Sequence, residues 1–201
     1  MSYKRHIINA MNQLYNNKFI SIRDGNVSFK PKNEKYFYIS AGSIKKNIIN
    51  EDQVVKIDFK KYYEGQTKLN YDKDYKYQPS RELFMHSFLQ THDLFKNKDT
   101  FVVHAHPPNI ISYVGLKHSN QLNNIKDEFP EINVGKIGEN VPYFDAGSND
   151  LAEDSFNKLI GNDIVALEKH GTLSIGDDID KILEDIETLE YYINIAIKSE
   201  H

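Results

Sequence analysis

The chain has 201 residues, of which 39% are hydrophobic and 27% are charged, and its formal net charge is −4 at pH 7. This composition is typical of a soluble globular domain, and it excludes a disordered chain, a membrane protein and a basic nucleic-acid-binding arm. Because there is no cysteine, any metal ion must be held by histidines and carboxylates, and disulfides and thiolate nucleophiles are excluded. The length fits one domain over residues 1–201. The N-terminus resembles neither a signal peptide nor a spanning helix, so we expect the protein to be in the cytoplasm.

The first part of the chain predicts a helix followed by strands. Apolar residues at helical spacing predict a helix over residues 3–16, and β-prone runs predict strands at 27–30, 36–39 and 54–59. These short runs are separated by turn residues and indicate one antiparallel sheet. Residues 61–78 are polar and rich in tyrosine, which indicates a long surface excursion or a hairpin.

The second part alternates between helices and strands. Pro79–Ser80 caps a helix that is predicted to reach Leu94, and a strand over 100–106 ends at Pro107–Pro108, since proline cannot continue a ladder. The second of these prolines begins another helix. A capped helix, two neighbouring strands and a long amphipathic helix follow at residues 148–159, 164–167, 172–175 and 179–197. This pattern predicts an α/β fold with a central sheet covered by helices on both faces.

Three histidines are candidate metal ligands. Side chains alternate along a strand, so His104 and His106 point to the same side and can converge on one ion. The competing interpretation is one hydrogen-bonded core histidine and one surface histidine. His170 precedes Gly171 between two predicted strands, where a close approach is possible. Three histidines on zinc leave a position open for water or substrate, as a catalytic site requires.

Glu82 stands near the start of the helix that follows Pro79–Ser80. An acidic residue in a first helical turn usually complements the helix dipole. The functional alternative is that Glu82 faces the metal, as a fourth ligand or as a base. His86 shares its helical face and is expected to be structural, with a supporting role at the site as the alternative.

Two polar turns, at residues 24–28 and 40–43, could present N–H groups and hydroxyls to an anion such as phosphate. Each is also compatible with an ordinary turn. Lys45 and Lys46 follow the second turn, and we expect them to form a solvated surface that adds a diffuse positive field at most.

Five motifs lie in order along the chain: GNVS at 25–28, ISAGS at 39–43, PSRE at 79–82 with His86, VHAHP at 103–107 and HG at 170–171. In order, spacing and flanking secondary structure, this set resembles the class II aldolase and adducin family over about residues 5–197. The resemblance implies a three-layer αβα sandwich with a central, mostly antiparallel sheet. It also implies a cyclic homotetramer with active sites at the subunit interfaces.

The resemblance further implies the roles of individual residues. His104, His106 and His170 match the histidines that bind one divalent cation per subunit, which we expect to be zinc. Glu82 matches the glutamate that ligates the resting metal in sugar-phosphate aldolases and then transfers the proton. The segments that hold the substrate phosphate correspond here to Asn26, Ser28, Gly42, Ser43 and Ser80.

Three features depart from the family pattern. Gly42 and Ser43 reverse the Ser-Gly or Thr-Gly order of many relatives, and Arg81 replaces a second serine of fuculose phosphate aldolases. Phe129 stands where those aldolases have a tyrosine that donates a proton in the neighbouring subunit's site, and a phenyl ring cannot do so. Methylthioribulose phosphate dehydratases have a glutamate in this region, so Glu128 is a candidate proton donor. Its alternative is a solvated loop residue.

These observations favour an aldolase that cleaves a small ketose 1-phosphate to dihydroxyacetone phosphate and an aldehyde through an enediolate. A dehydratase or epimerase acting on a sugar phosphate is the first alternative, because the same metal and carboxylate can serve several outcomes. A non-catalytic module like the adducin head is the second, and the three histidines together with Glu82 argue against it.

Overall fold

The computed structural model describes residues 3–61, 67–115 and 120–199. Its strands are β1 (Asn26–Lys30), β2 (Tyr36–Ser40), β3 (Val54–Lys61), β4 (Thr67–Asn70), β5 (Thr100–Ala105), β6 (Ile164–Leu167) and β7 (Gly171–Gly176). They form one sheet in the order β4-β3-β2-β1-β5-β7-β6, and each neighbouring pair of these strands is antiparallel. The predicted antiparallel sheet is thus confirmed.

The helices are α1 (Tyr3–Asn16), α2 (Leu83–Gln90), α3 (Pro108–Gly115), α4 (Ile125–Glu128), α5 (Asn149–Leu159) and α6 (Ile179–Ser199). Helices α1, α3 and α6 pack on one face of the sheet, and α2 and α5 pack on the other. The three layers are those of the predicted αβα sandwich. Within the described ranges, no helix combines the length and the apolar character needed to cross a bilayer.

Alternation along β5 divides its side chains between the two cores. Phe101 and Val103 belong to the core beneath α1 and α6, whereas Val102 packs with Leu89 of α2 in the core on the other face. His104 follows Val102 by two positions and therefore lies on the α2 face. The site that contains His104 is consequently built between the sheet and the start of α2.

Helix α2 is shorter at both ends than the sequence predicts. It begins at Leu83, because the Ser80 hydroxyl accepts a hydrogen bond from the Glu82 N–H at 3.3 Å and holds this segment in a turn. It ends at Gln90. Leu94 lies outside the helix, in a separate 3-10 turn in which the His92 ring accepts a hydrogen bond from the Leu94 N–H at 3.3 Å.

Two other boundaries differ. Strand β4 pairs with β3, so the hairpin alternative for residues 61–78 holds for residues 61 and 67–70. Residues 71–78 form turns and bends, and residues 62–66 lie outside the described residues. Strand β5 ends at Ala105, one residue before its predicted end. The N–H of His106 donates to the Phe19 carbonyl at 2.7 Å, so this residue leaves the sheet ladder.

The β5–β7 pair closes tightly at Gly171. A Cβ atom built on this residue would lie 2.1 Å from the Ala105 carbonyl oxygen and 3.1 Å from Cδ2 of His106. Both strand backbones are fixed by pairing in the sheet, so neither can easily yield. Only glycine, which has no Cβ atom, fits at this position without a steric clash.

We predict that Gly171→Ala lowers the free energy of unfolding by about 3 kcal/mol, the upper end of the usual cost of overpacking, because the close contact is with a backbone atom. The matched control is Gly161→Ala, because Gly161 has φ +81° and nothing within 4 Å of an added Cβ. That control has only backbone strain to overcome, about 1–2 kcal/mol. Urea denaturation of both variants measures the difference. The steric argument fails if Gly171→Ala proves no less stable than the control.

Candidate active site

Three histidines from two strand ends meet at one point. His104 lies on β5, His106 follows the end of that strand, and His170 lies in the turn between β6 and β7. Their ring centroids are 4.7–5.1 Å apart, and the Nε2 atoms of His104 and His106 are 2.8 Å apart. One ligand atom from each ring lies within 4.8 Å of the other two. The structure therefore brings together the three histidines that the sequence singled out, and this group could hold a divalent cation.

The orientation of His104 is set by a backbone carbonyl. Its Nδ1 lies 2.9 Å from the Thr172 carbonyl oxygen, which can only accept, so Nδ1 carries the proton and donates. The Nε2 lone pair is then directed at the point where the rings converge. A hydrogen bond of this kind behind a ligating imidazole fixes both the tautomer and the ring.

Burial keeps the three imidazoles neutral. It lowers the pKa of His104 well below the usual value, and the neighbouring His106 and His170 lower it further. Burial also lowers the pKa of His106, and that of His170 to about 4. All three rings are therefore neutral at pH 7, and neutral imidazole is the form that binds a metal.

Glu82 lies beside the three histidines. It is 6% exposed at the N-cap position of α2, and its Oε1 lies 3.9 Å from His170 Nε2. Burial raises the pKa of its carboxyl group, which the Gly147 N–H and Arg81 partly oppose. Its other oxygen, Oε2, is buried and has no hydrogen-bond partner among the described residues. A partnerless buried carboxylate oxygen beside three neutral imidazoles fits a cation.

Asp24 is a residue of the site that sequence analysis did not single out. Its Oδ2 lies 3.7 Å from His106 Nδ1, and its two oxygens accept hydrogen bonds of 2.6 Å from the N–H and the hydroxyl of Ser21. A carboxylate behind a ligating histidine orients the ring and raises its basicity. No signal in the local sequence links Asp24 to His106, because the contact arises from tertiary structure.

A cavity of about 190 Å³ opens over the histidines. Its wall carries the histidines and Glu82 together with four of the five residues assigned to phosphate by the resemblance, which are Asn26, Gly42, Ser43 and Ser80. Three cationic residues also line it: Arg23, Lys46 and Arg81. Hydrogen-bond donors and cationic side chains beside a group of possible metal ligands suit an anionic ligand with oxygen atoms.

Ser28, the fifth of these residues, lies beneath the cavity wall. The residue is 0% exposed and does not line the cavity. Its hydroxyl lies 2.7 Å from His86 Nδ1 and receives a hydrogen bond of 2.8 Å from the Gln90 amide. Strand alternation places Ser28 on the same face as Asn26 but one step deeper, beneath α2.

Gly42 and Ser43 contribute differently from simple phosphate donors. The Gly42 N–H donates to the Gln78 carbonyl at 3.0 Å, so it is already engaged. A Cβ on Gly42 would lie 3.1 Å from the Pro79 carbonyl, which indicates that glycine serves the close approach of two loops. Ser43 is exposed at the cavity with φ +56°.

The expectation that Lys45 and Lys46 form a solvated pair is wrong for the second residue. Lys45 is exposed, but Lys46 is 2% exposed and its Nζ donates to the Ala41 carbonyl at 2.7 Å. Burial lowers the pKa of Lys46 to about 8, and the charge of Asp24 opposes this shift. A short 3-10 turn over Lys46–Ile48 turns this side chain inward, which the sequence pattern did not indicate.

Glu128 and Phe129 lie away from this cavity in the same chain. Glu128 is exposed at the end of α4 and accepts a hydrogen bond from the Tyr113 hydroxyl at 2.5 Å. The Phe129 ring packs against Tyr192, with the ring centroids 5.1 Å apart. Neither residue lines the cavity of its own chain, so a catalytic role for Glu128 would require a neighbouring subunit.

Comparisons with known proteins agree with this geometry. The chain matches the family described as Class II Aldolase and Adducin N-terminal domain over residues 5–197. The L-fuculose phosphate aldolase of Methanococcus maripaludis (strain C5) is 30% identical over 197 residues, which cover 94% of this chain and 96% of the relative. That of Methanocaldococcus jannaschii is 26% identical over 194 residues, which cover 96% of this chain and 95% of the relative.

A solved structure of a sugar-phosphate aldolase from Thermotoga maritima has the same fold. Its TM-score with this chain is 0.73 at 18% identity, and the match covers 98% of this chain and 94% of that one. The sequence match extends over nearly the whole chain, and the relatives named above share it from end to end. The chain therefore belongs to the class II aldolase and adducin family.

Proposed function

We propose that this protein is a metal-dependent aldehyde-lyase that cleaves a small ketose 1-phosphate to dihydroxyacetone phosphate and an aldehyde. The observation that carries the proposal is one cavity whose wall carries three neutral histidines and Glu82 together with hydrogen-bond donors and cationic residues. The printed names of the relatives, L-fuculose phosphate aldolases, point to the same class of reaction.

His104, His106 and His170 would hold the cation, and Glu82 would be a fourth donor in the absence of substrate. Three nitrogen donors with one exchangeable position are typical of catalytic zinc, so we propose zinc as the resident ion. When bound, such an ion supplies a Lewis acid that stabilises negative charge developing on substrate oxygens.

Glu82 is proposed to carry the proton. In the cleavage direction its carboxylate accepts the proton of the C4 hydroxyl as the C4–O double bond forms and the C3–C4 bond breaks. The electron pair of that bond remains with the three-carbon fragment, as an enediolate. The carboxylic acid then returns the proton to C3, which completes dihydroxyacetone phosphate. A buried carboxyl group with a raised pKa suits a group that must both take and give a proton.

The phosphate is proposed to lie where Asn26, Ser43 and Ser80 line the cavity. Arg23 and Lys46 contribute positive charge there, and Arg81 does so from the position at which relatives have a serine. A charged partner at this position compensates for the altered order of Gly42 and Ser43. Contacts to a phosphate distant from the breaking bond bind ground and transition states alike, so they act mainly on KM.

A dehydratase is the second candidate, and the residues at 128 and 129 favour it. Phe129 cannot serve as the proton donor that aldolases of this family take from a neighbouring subunit, whereas Glu128 presents an exposed carboxylate. In the proposed homotetramer Glu128 would enter the neighbouring cavity as a general acid. Product analysis separates the two reactions, because a dehydratase retains all the carbons in one product.

The first prediction concerns the metal. Each of His104→Ala, His106→Ala and His170→Ala should reduce bound zinc from about one ion per chain to a small fraction, since two histidines hold it poorly. Thermal unfolding of the metal-free proteins should change little, because the sheet and its two cores, rather than an ion, build the fold. The control is His92→Ala, outside the cavity. Metal content is measured by mass spectrometry, and a wild-type protein without stoichiometric metal would favour the adducin-like module.

The second prediction concerns Glu82. Glu82→Gln should retain zinc but lose about 10²- to 10⁴-fold in kcat, because an amide can coordinate weakly yet cannot accept a proton. The assay is release of dihydroxyacetone phosphate from a panel of ketose 1-phosphates. A variant with nearly full activity would remove Glu82 from the mechanism. A wild-type enzyme that consumes substrate without releasing this product would exclude the lyase.

The third prediction concerns Lys46, whose pKa of about 8 places its charge change within an accessible range. Below that pH the ammonium group is charged and attracts phosphate, and above it the amine is neutral. KM for the phosphorylated substrate should therefore rise as the pH passes 8, whereas Lys46→Met should show a higher KM at pH 7 and lose this pH dependence.

Lys45→Met is the matched control, because Lys45 is the exposed neighbour and should leave both KM and its pH profile unchanged. The pH dependence of the free energy of unfolding is a second test of the lowered pKa of Lys46. Between pH 8 and the ordinary lysine pKa of 10.5, the unfolded chain binds more protons than the folded one. The stability of the wild type should thus rise through this window relative to Lys46→Met. Parallel pH profiles of the wild type and Lys46→Met would contradict the assignment.

A further inference from the structure

A row of four buried side chains connects the interior beneath α2 with the cavity. The Gln90 amide nitrogen donates to the Ser28 hydroxyl oxygen at 2.8 Å, and this oxygen lies 2.7 Å from His86 Nδ1. His86 Nε2 in turn contacts Asn26 Oδ1. All four residues are at most 4% exposed, and only Asn26 lines the cavity.

The direction of these hydrogen bonds is fixed at the inner end. The Gln90 amide nitrogen also donates to the Thr100 carbonyl at 3.2 Å, and a carbonyl can only accept. The nitrogen of this amide therefore faces Ser28, and the Ser28 oxygen accepts from it. The single hydroxyl hydrogen of Ser28 is left for His86 Nδ1, which is the acceptor beside it among the described residues.

His86 must then be the tautomer with its proton on Nε2. Burial lowers the pKa of His86 to about 3, so the ring is neutral and carries one proton only. With Nδ1 accepting from Ser28, Nε2 donates to Asn26 Oδ1. The amide oxygen of Asn26 is thereby occupied, and its NH₂ group is the part left to face the cavity.

We propose that His86 is a positioning residue that fixes the Asn26 amide with its NH₂ group in the cavity. Only a hydrogen-bond acceptor, such as a phosphate oxygen, can then bind to the amide at this position. The inference rests on the proposed function for the identity of the ligand, but the orientation of the amide does not depend on it. No described residue accepts a hydrogen bond from the Asn26 amide nitrogen, which leaves both of its hydrogens for a ligand.

This arrangement favours a deprotonated phosphate oxygen over a substrate hydroxyl that must donate. A freely rotating asparagine would serve either group, because its amide can present nitrogen or oxygen. Fixing it before the ligand arrives also reduces the entropy lost on binding. The Thr100 carbonyl on β5 thus sets the direction of each hydrogen bond in the row, and the last of these bonds orients the Asn26 amide at the cavity wall.

The test compares two substitutions of similar chemistry. In His86→Gln the side-chain amide nitrogen falls near the former Nε2 and can still donate to Asn26, whereas in His86→Asn the shorter amide cannot reach it. Affinity of the zinc-loaded protein for inorganic phosphate, measured by calorimetry, should fall about tenfold in His86→Asn and be largely restored in His86→Gln. Zinc content should be unchanged in both.

Two further measurements separate positioning from a general structural effect. In an Asn26→Ala background, His86→Asn should weaken phosphate binding no further, because the residue it positions is already absent. Ser28→Ala is a smaller change and replaces His86→Asn if that variant does not fold. It should weaken phosphate binding about threefold, because the His86 proton can then lie on either ring nitrogen. Nitrogen-15 NMR of the wild type, with the His86 signals assigned by their loss in His86→Gln, should show a protonated Nε2 and an unprotonated Nδ1.

The outcomes are distinct. A proton on Nδ1 of His86, or equal phosphate affinity in the wild type and His86→Asn, overturns the inference while leaving the lyase proposal intact. A wild-type protein that binds no phosphate overturns the phosphate part of the proposed function and the ligand named here. The NMR result then still decides whether His86 orients Asn26.

Discussion

The register of β1, β5 and β7 is the constraint on which the rest of the site depends. It pairs Asn26 with His104 across one ladder and Ala105 with Thr172 across the next. The Thr172 carbonyl then reaches His104 Nδ1, and the close approach at Gly171 brings His170 to the other two histidines. A slip of one residue would turn His104 into the opposite core. Backbone pairing thus assembles side chains from three separate parts of the sequence.

Burial is the second determinant, and it acts on each charged group of the site according to that group's chemistry. It leaves the histidines neutral with free lone pairs, raises the pKa of Glu82 and lowers that of Lys46. The same burial therefore leaves neutral imidazoles, a carboxyl group with a raised pKa and an ammonium group with a lowered pKa in one cavity. The buried oxygen of Glu82 that has no partner among the described residues is one that a cation would satisfy.

Two of the three departures from the family pattern lie at the cavity wall, whereas the third, Phe129, lies away from it. Arg81 lines the cavity from an exposed position and Ser43 adopts positive φ; the buried ammonium group of Lys46, which is not one of these departures, lines the same wall. The residues that would hold a metal are thus accompanied by an altered cavity wall. Because one fold supports several reactions, this wall, more than the histidines, would decide which substrate is used.

The sequence by itself determined the elements, the antiparallel sheet and the histidine group, because these depend on local periodicity and on motifs whose order is visible along the chain. Strand alternation alone was enough to place His104 and His106 on one side. Only the tertiary structure decided that Ser28 supports the cavity from beneath, that Asp24 stands behind His106, and that Lys46 is buried rather than solvated. These facts depend on contacts between residues distant in sequence and on the depth at which each element packs. The hydrophobic periodicity of a sequence indicates neither the contacts between distant residues nor the depth of packing.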